Sequence, residues 1–438
     1  MRPLHTAGAA ALALLALQAA PAAAQPQTNP PRPGQTGPDP TLPQPQRGLL
    51  PNMTIPRPAG WNNERPTVPE GYTIQPIATD LRIPRQTLVL PNGDILVAEG
   101  SGGKQAPKVR PKDFVAGFIK SLGKSSAPSG DRLTLLRDAD GDGTYELQHT
   151  FAENLNAPYG LALVNGSLFV ANQDALVRFD YRDGQTEASG PPEQVTALPA
   201  EINHHWTKSL AASPDGESLF VGIGSNSNIT ERGMAAEVDR AMVWQIDAES
   251  GAHRPYATGI RNPTALTIQP GTGQLWAVAN ERDEIGPDLV PDYLTSVKEG
   301  AFYGWPYSYW GQNVDERVRP QDPQKVAAAI APDYALGSHV AALGVDFSTP
   351  AMGAPFAEGA FVGEHGSWNR TNPVGYKVVF VPFRDNRPAG PPQDVVTGFL
   401  NEEGNARGRP VGVTVDPRGA LIIADDLSNT VWRMTPAR

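Results

Sequence analysis

The 438-residue chain carries a formal net charge of −10, has seven histidines and contains no cysteine. Disulfides, thiolate chemistry, zinc–thiolate sites and a lipidated cysteine anchor are therefore excluded, and stability has to come from a buried core, which a chain of this length can build. The acidic balance argues against a nucleic-acid partner, while a small anionic ligand could still bind where basic residues converge.

The first residues read MRPLHTAGAAALALLALQAAPAAAQ. Arg2 precedes an apolar run over residues 7–20, and the small residues Ala22, Ala23 and Ala24 follow it. This is the layout of a secretory signal peptide over residues 1–24, with cleavage after Ala24. The run is shorter than the roughly 20 residues of a membrane helix, and no later stretch matches it. The sequence thus predicts an exported, periplasmic protein without a membrane span. Residues 25–68 are rich in proline, glutamine and threonine and have no apolar period. Alone, such a segment cannot offset its ordering entropy. It reads as an extended leader, either free or laid along the body of the domain.

Over residues 69–438 one phrase recurs: a glycine turn, alternating apolar residues, then a polar or acidic end. Its six copies are PNGDILVAEG, VNGSLFVANQD, SPDGESLFVGIGS, QPGTGQLWAVANERDE, EGAFVGEHGS and DPRGALIIADD. Asn-Gly and Asp-Gly pairs are hairpin signals, and period-two runs are strands. Most copies follow another strand with a proline or arginine lead-in: LRIPRQTLVL, LNAPYGLALV, IRNPTALTIQ and GRPVGVTVD. Lead-in, inner strand, turn and second strand make half of a four-stranded blade. Six copies predict an all-β fold, a six-bladed β-propeller formed by one domain over residues 69–438. Long helical periodicity is absent, and DLVPDYLTSV reads as one short helical turn.

In a propeller the loops entering the inner strands gather at one end of the channel. His204 and His205 stand before SLAASP, Arg261 and Asn262 before ALTIQP, and Arg407 and Arg409 before VGVTVDP, in matching places of successive blades. An imidazole that titrates near neutrality can take a proton from an alcohol; a buried histidine tied to a carbonyl is the competing reading. Converging guanidinium groups suit a ligand with several carboxylates, against inter-blade ion pairing. Asn280, Glu281 and Asp283 end a strand at the mouth and, with Tyr303, offer oxygens for a hard cation such as Ca²⁺. The rings of GAFYGWPYSYWG read mainly as a packed aromatic plug. DADGDGTYE, residues 138–146, imitates a calcium loop but has His149 at its twelfth place; it reads as an acidic turn or a weak surface Ca²⁺ site, without a catalytic role. His339, His365 and Arg370 lie near other blade loops with no role fixed. Neither a Ser-His-Asp order, a P-loop nor a Rossmann fingerprint is present.

The motifs HHWTKSLAASPDG, GIRNPTALTI, NERDEIGPDL, FYGWP, HGSWNRTNPVGYKV and GRPVGVTVDPRG resemble the soluble sugar dehydrogenases that use pyrroloquinoline quinone (PQQ). Within that family the chain is most similar to the L-sorbosone dehydrogenase branch. The resemblance implies PQQ above the channel, Ca²⁺ beside it, and oxidation of a sugar or aldehyde sugar, with electrons passed to an acceptor such as a quinone or cytochrome. His205 matches the family's catalytic histidine through its spacing to Leu210, and His204 stands where glucose dehydrogenases have aspartate. Arg261 and Asn262 match its Arg-Asn pair, Thr264 replaces a glutamine, and Arg407 and Arg409 match its Arg-x-Arg. Arg370 is the best substitute for its cofactor lysine, and the calcium segment falls on residues 280–283, near Tyr303. Two other readings stay open: a metal-dependent propeller lactonase without a redox cofactor, and a non-enzymatic propeller binding a glycan or a protein.

Overall fold

The structure is a computed structural model that describes residues 34–48, 53–102 and 107–437. The signal-peptide expectation and the start of the leader lie outside the described residues. Six antiparallel sheets follow one another along the chain. Blade 1 comprises Pro84–Val89, Ile95–Glu99, Arg132–Arg137 and Leu147–Ala152. Blade 2 comprises Gly160–Val164, Ser167–Ala171, Ala175–Asp180 and Glu193–Ala197. Blade 3 comprises Lys208–Ala212, Ser218–Ile223, Met242–Asp247 and His253–Thr258. Blade 4 comprises Pro263–Ile268, Leu275–Ala279, Pro291–Ser296 and Tyr334–Ser338. Blade 5 comprises Ala342–Phe347, Gly359–Glu364, Lys377–Arg384 and Gln393–Val396. Blade 6 joins Pro410–Val415, Leu421–Asp425 and Thr430–Pro436 to the early strand Tyr72–Ala78, which pairs with Thr430–Pro436. The ring is thus closed by the two ends of the domain, and the six-bladed propeller expected from the repeats is the observed fold.

Each recurring phrase is the turn and second strand of a blade. At Asn165-Gly166 both residues have positive φ (48° and 77°), the mirror-image turn that fits strand twist. The core lies between blades rather than within them. Leu133 and Phe151 of blade 1 meet Leu168 and Phe179 of blade 2. Trp276 and Leu294 of blade 4 meet Phe347 and Phe383 of blade 5. Ile95 and Leu136 of blade 1 meet Ile422 and Val431 of blade 6, so every junction of the ring is apolar.

Two local expectations fail. DLVPDYLTSV forms no helical turn: Pro291–Ser296 is the third strand of blade 4, buried at every residue. Both its faces are covered, so it lacks the alternation that marks a half-exposed strand. A helix missed in the sequence spans Pro111–Ser121, inside an insertion between the second and third strands of blade 1. A shorter one, Pro323–Ala328, is capped by Asp322, which accepts from the Gln324 and Lys325 amides. Among the described residues no helix is long and apolar enough to cross a membrane.

The described part of the leader lies along the body. Gly37 pairs with Ala335, and Leu42 packs on Ile285, Leu289 and Val290. Thr67 bridges to Thr397, while Arg57 and Ala59 exchange backbone hydrogen bonds with Ala406. Trp61 is buried edge-on against Phe399 (5.3 Å) and Trp432 (5.2 Å), and its indole N–H donates to Asp425 at 3.2 Å. Trp61→Ala should therefore cost about 3–5 kcal/mol, read as a lower midpoint in chemical denaturation. A midpoint equal to the parent's would show that the leader adds nothing to the fold.

Candidate active site

The inner strands all begin at one end of the channel, and the loops between second and third strands return to that end. Between the loops of blades 3, 4 and 5 lies a cavity of about 280 Å³. His204 and His205 line it from the blade 3 lead-in, and Arg261 and Asn262 from the blade 4 lead-in. Asn280, Glu281 and Asp283 line it from beyond the second strand of blade 4. These seven sequence candidates do meet. Five further lining residues were not assigned a place there from sequence: Asp292, His339, Ala341, Trp368 and Asn369.

His205 is half-buried, and its Nδ1 lies 2.8 Å from the Ser225 carbonyl oxygen and 3.0 Å from Ser225 Oγ. Ser225 Oγ donates to Ser227 O at 2.6 Å, so the network assigns the proton to His205 Nδ1. Nε2 is then a free acceptor with no protein partner among the described residues. Burial, then the positive charges of Arg261 and His204, hold this imidazole well below its ordinary pKa of 6.5. Arg240 fixes the backbone beside it by donating to His205 O at 2.9 Å. Gly224 is required here: a side chain would collide with the Asn262 amide oxygen and stand 2.5 Å from His205 Cβ.

Asn262 Oδ1 and Asn280 Oδ1 are both buried acceptors without a hydrogen-bond partner. Asp283 accepts from Asn369 at 2.7 Å, stands 3.5 Å from His339 Nδ1, and lies 4.0 Å from Arg261. Unpaired amide oxygens beside a carboxylate are the donor chemistry of a hard cation. Glu281 is committed elsewhere, accepting from the guanidinium of fully buried Arg282 at 3.0 Å. Asp292 accepts the Glu281 and Ala341 amides at 2.8 Å each. Burial outweighs these bonds, and Asp283 and Glu281 add to it, so its pKa rises to about 7.

The remaining candidates are elsewhere. Tyr303 is buried in the junction of blades 3 and 4, donating to Ser296 O at 2.5 Å and accepting from the Lys298 amide. Its ring belongs to that core and does not line the cavity with residues 280–283. Thr264 is buried and donates to Ala342 O at 2.6 Å, tying two inner strands together. Arg261 wall-papers the cavity without opening a fork to it: it donates to Asn228 O, Asn228 Oδ1, Asn280 O and Glu281 O. Arg370 donates to Pro287 O at 2.7 Å and Asp288 at 2.8 Å. Arg407 pairs with Glu64 of the leader at 2.6 Å. Arg409 lies over the Tyr376 ring at 5.5 Å, and its buried Nε has no acceptor. Arg370, Arg407 and Arg409 thus share the loop end but do not line the cavity at His205. His365 is paired with Asp426 at 3.0 Å, which Arg85 also contacts at 2.8 Å. Asp138, Asp140, Asp142 and Glu146 of the acidic turn converge on the surface and do not line the cavity.

A closed ring of six blades, with a polar cavity where its inner strands begin, defines a six-bladed propeller with its site at the channel mouth. The chain belongs to the TrAA12-like family, whose model matches residues 129–437. A protein of Borreliella burgdorferi described as uncharacterized is 25% identical over 298 residues, covering 65% of this chain and 77% of that one. Three solved structures share the fold. The calcium structure of the Trichoderma reesei enzyme of carbohydrate-active family AA12 superposes with a TM-score of 0.69, at 19% identity over 88% of this chain and 99% of that one. The holo PQQ domain of pyranose dehydrogenase from Coprinopsis cinerea gives 0.69, at 19% identity over 87% of this chain and 100% of that one. The PQQ-bound aldose sugar dehydrogenase of Streptomyces coelicolor gives 0.54, at 15% identity over 84% and 99%.

Nitrogen-15 NMR should find His205 as the Nδ1–H tautomer, titrating well below 6.5; a midpoint at or above 6.5 contradicts this geometry. Gly224→Ala should move those ring signals while the protein stays folded. Glu364, buried with an unpartnered Oε2, offers a second pH test. Burial raises its pKa to about 8 against the pull of Lys377. Between its unfolded value and 8 the unfolded chain has released a proton that the folded chain keeps, so rising pH costs stability, by up to about 1.4 kcal/mol per pH unit. Melting temperatures of Glu364→Gln should fall less between pH 5 and pH 8 than those of the parent; parallel curves would refute it.

Proposed function

We propose that the protein is a PQQ- and calcium-dependent dehydrogenase that oxidises a sugar or aldehyde sugar, of which L-sorbosone is the first candidate. Family membership supports the class, as does the fold shared with the PQQ-bound enzymes. The observation that carries the reading is His205: a base locked in one tautomer, unprotonated at neutral pH, with Nε2 open in a polar cavity. The signal-peptide pattern of residues 1–24 supports a periplasmic enzyme, for which a quinone or cytochrome would be the electron acceptor.

The lining residues fit the cation: Asn262, Asn280 and Asp283 offer oxygens to Ca²⁺. For PQQ the cavity supplies the base, His205, while Arg409, at the same loop end but outside the cavity with its Nε buried and unpaired, would have to turn toward it to meet a carboxylate. When bound, PQQ supplies the electrophilic ortho-quinone that takes up the hydride equivalent, and calcium polarises it. The chain's own work is proton handling. His205 Nε2 accepts the sugar hydroxyl proton. The Ser225 carbonyl holds the ring in place and stabilises the imidazolium that forms. The charge of Arg261 then favours return of the proton to solvent, resetting the base.

Titration of apo-protein with PQQ, with and without Ca²⁺, followed by dye reduction with a panel of sugars, tests the reading. Calcium-dependent PQQ binding with sugar-driven dye reduction is the expected result. His205→Gln should keep PQQ binding and lose turnover by about 10²–10⁴-fold; full turnover would remove the assigned base. In the parent, the acid limb of the rate profile should lie below pH 6.5, because a lowered pKa keeps the base unprotonated into mild acid. Lactone hydrolysis with metal and no PQQ would instead establish the lactonase. That rival gains from the closed fork of Arg261, which leaves one fewer donor for a multiply charged cofactor.

A further inference from the structure

The blade 1 insertion lies across the loop end of the propeller. Gly102 packs on the Trp206 indole of the blade 3 lead-in, and Gly123 packs on Ile55 of the leader and on Arg409 of the blade 6 lead-in. Between them Arg110 reaches Glu284 at 3.1 Å and Glu231 at 3.7 Å, the first adjoining Asp283 of the cavity. The helix Pro111–Ser121 is therefore fastened beside the mouth of the site.

Its outward side is unlike the rest of the molecule. Phe114 is 58% exposed and Phe118 67%, and Val109, Val115 and Leu122 are also exposed. Phe114, Phe118 and Leu122 fall four residues apart, on one stripe. Residues 107–124 hold five basic residues and a single acidic one, Asp113, in a protein of net charge −10. Four of the nine lysines of the chain, Lys108, Lys112, Lys120 and Lys124, are in this stretch. Lys108 sits 5.0 Å over the Phe114 ring. This stretch is thus net basic inside a net acidic chain, and it is the segment that an anionic surface would attract.

We propose that Pro111–Ser121 and its flanks are a docking surface for an anionic lipid bilayer, which seats the mouth of the site against the membrane. Aromatic side chains amid lysines are the pattern of helices that lie in the headgroup region, where lysines are drawn to anionic lipid. Bilayers accept protruding phenylalanines without a shaped pocket, which an acidic protein partner would have to provide. The inference stands on this helix alone and does not need the redox assignment.

Cosedimentation of the full chain with vesicles tests it, using phosphatidylcholine mixed with phosphatidylglycerol against phosphatidylcholine alone, at low and high salt. The expected result is salt-sensitive binding to the anionic vesicles only. The double variants Phe114→Ser/Phe118→Ser and Lys108→Glu/Lys124→Glu should each bind about tenfold more weakly, with unchanged melting temperatures because the side chains are exposed. Residues 1–33 are common to all three chains, so any contribution from them cancels. Equal binding to neutral vesicles, no binding, or variants that bind like the parent would each overturn the proposal. Binding of soluble polyglutamate without binding of vesicles would overturn it too, and assign the face to an acidic protein.

Discussion

The constraint behind the whole molecule is that a twisted four-stranded sheet here has two apolar faces and no helix layer to cover either. Only another blade can do so. Leu168 and Phe179 cover blade 1, Phe347 and Phe383 cover blade 4, and the series ends only when blade 6 returns to Ile95 and Leu136. The ring leaves a channel lined by inner strands, and it gathers at one end residues that the chain keeps far apart. The position of His205 opposite Asp292 and Trp368 is thus a by-product of burying apolar surface.

Inside that frame, chemistry is set by how the protein distributes its own polar groups. His205 is neutral because burial and Arg261 oppose its cation, while Ser225 decides which nitrogen holds the proton. Asp292, with two backbone amides, would ordinarily be a strong acid, yet burial, to which the Asp283 and Glu281 carboxylates add, raises it to about 7. Asp426 behaves in the opposite way: burial would raise it, but His365 and Arg85 draw it down to about 2. Two buried aspartates in one ring differ because one faces anions and the other cations.

The fold was legible because turn chemistry and strand period agree at every repeat, from PNGDILV to DPRGALII. The site was legible where a lead-in position fixes the side chain, as for His205 and Asn262. It was not legible where direction depends on tertiary packing. Tyr303 has the right composition for a cation site but turns into a blade junction. Thr264 lies next to the lead-in, yet the strand's alternation points it at Ala342. Arg407 answers to Glu64, a leader residue whose docking no local pattern announces. Trp368 and Asn369 stood in plain view in HGSWNRTN, and only the return of that loop to the mouth gives them meaning. The helix Pro111–Ser121 escaped because its apolar stripe faces outward, where no core requires it.

The pairing of Tyr72–Ala78 with Thr430–Pro436 also orders events in time. The strand that completes the last blade is the first of the propeller's strands to be made, and its partner is the last of them. Five blades can form as the chain lengthens, but the sixth must wait with an open edge and two uncovered apolar faces, one on each side of the gap. Closure is a long-range step with a large loop entropy, so the final stage of folding waits until Thr430–Pro436 has been made. A nascent or truncated chain would be an open fan, sticky at both ends, and a natural client for chaperones.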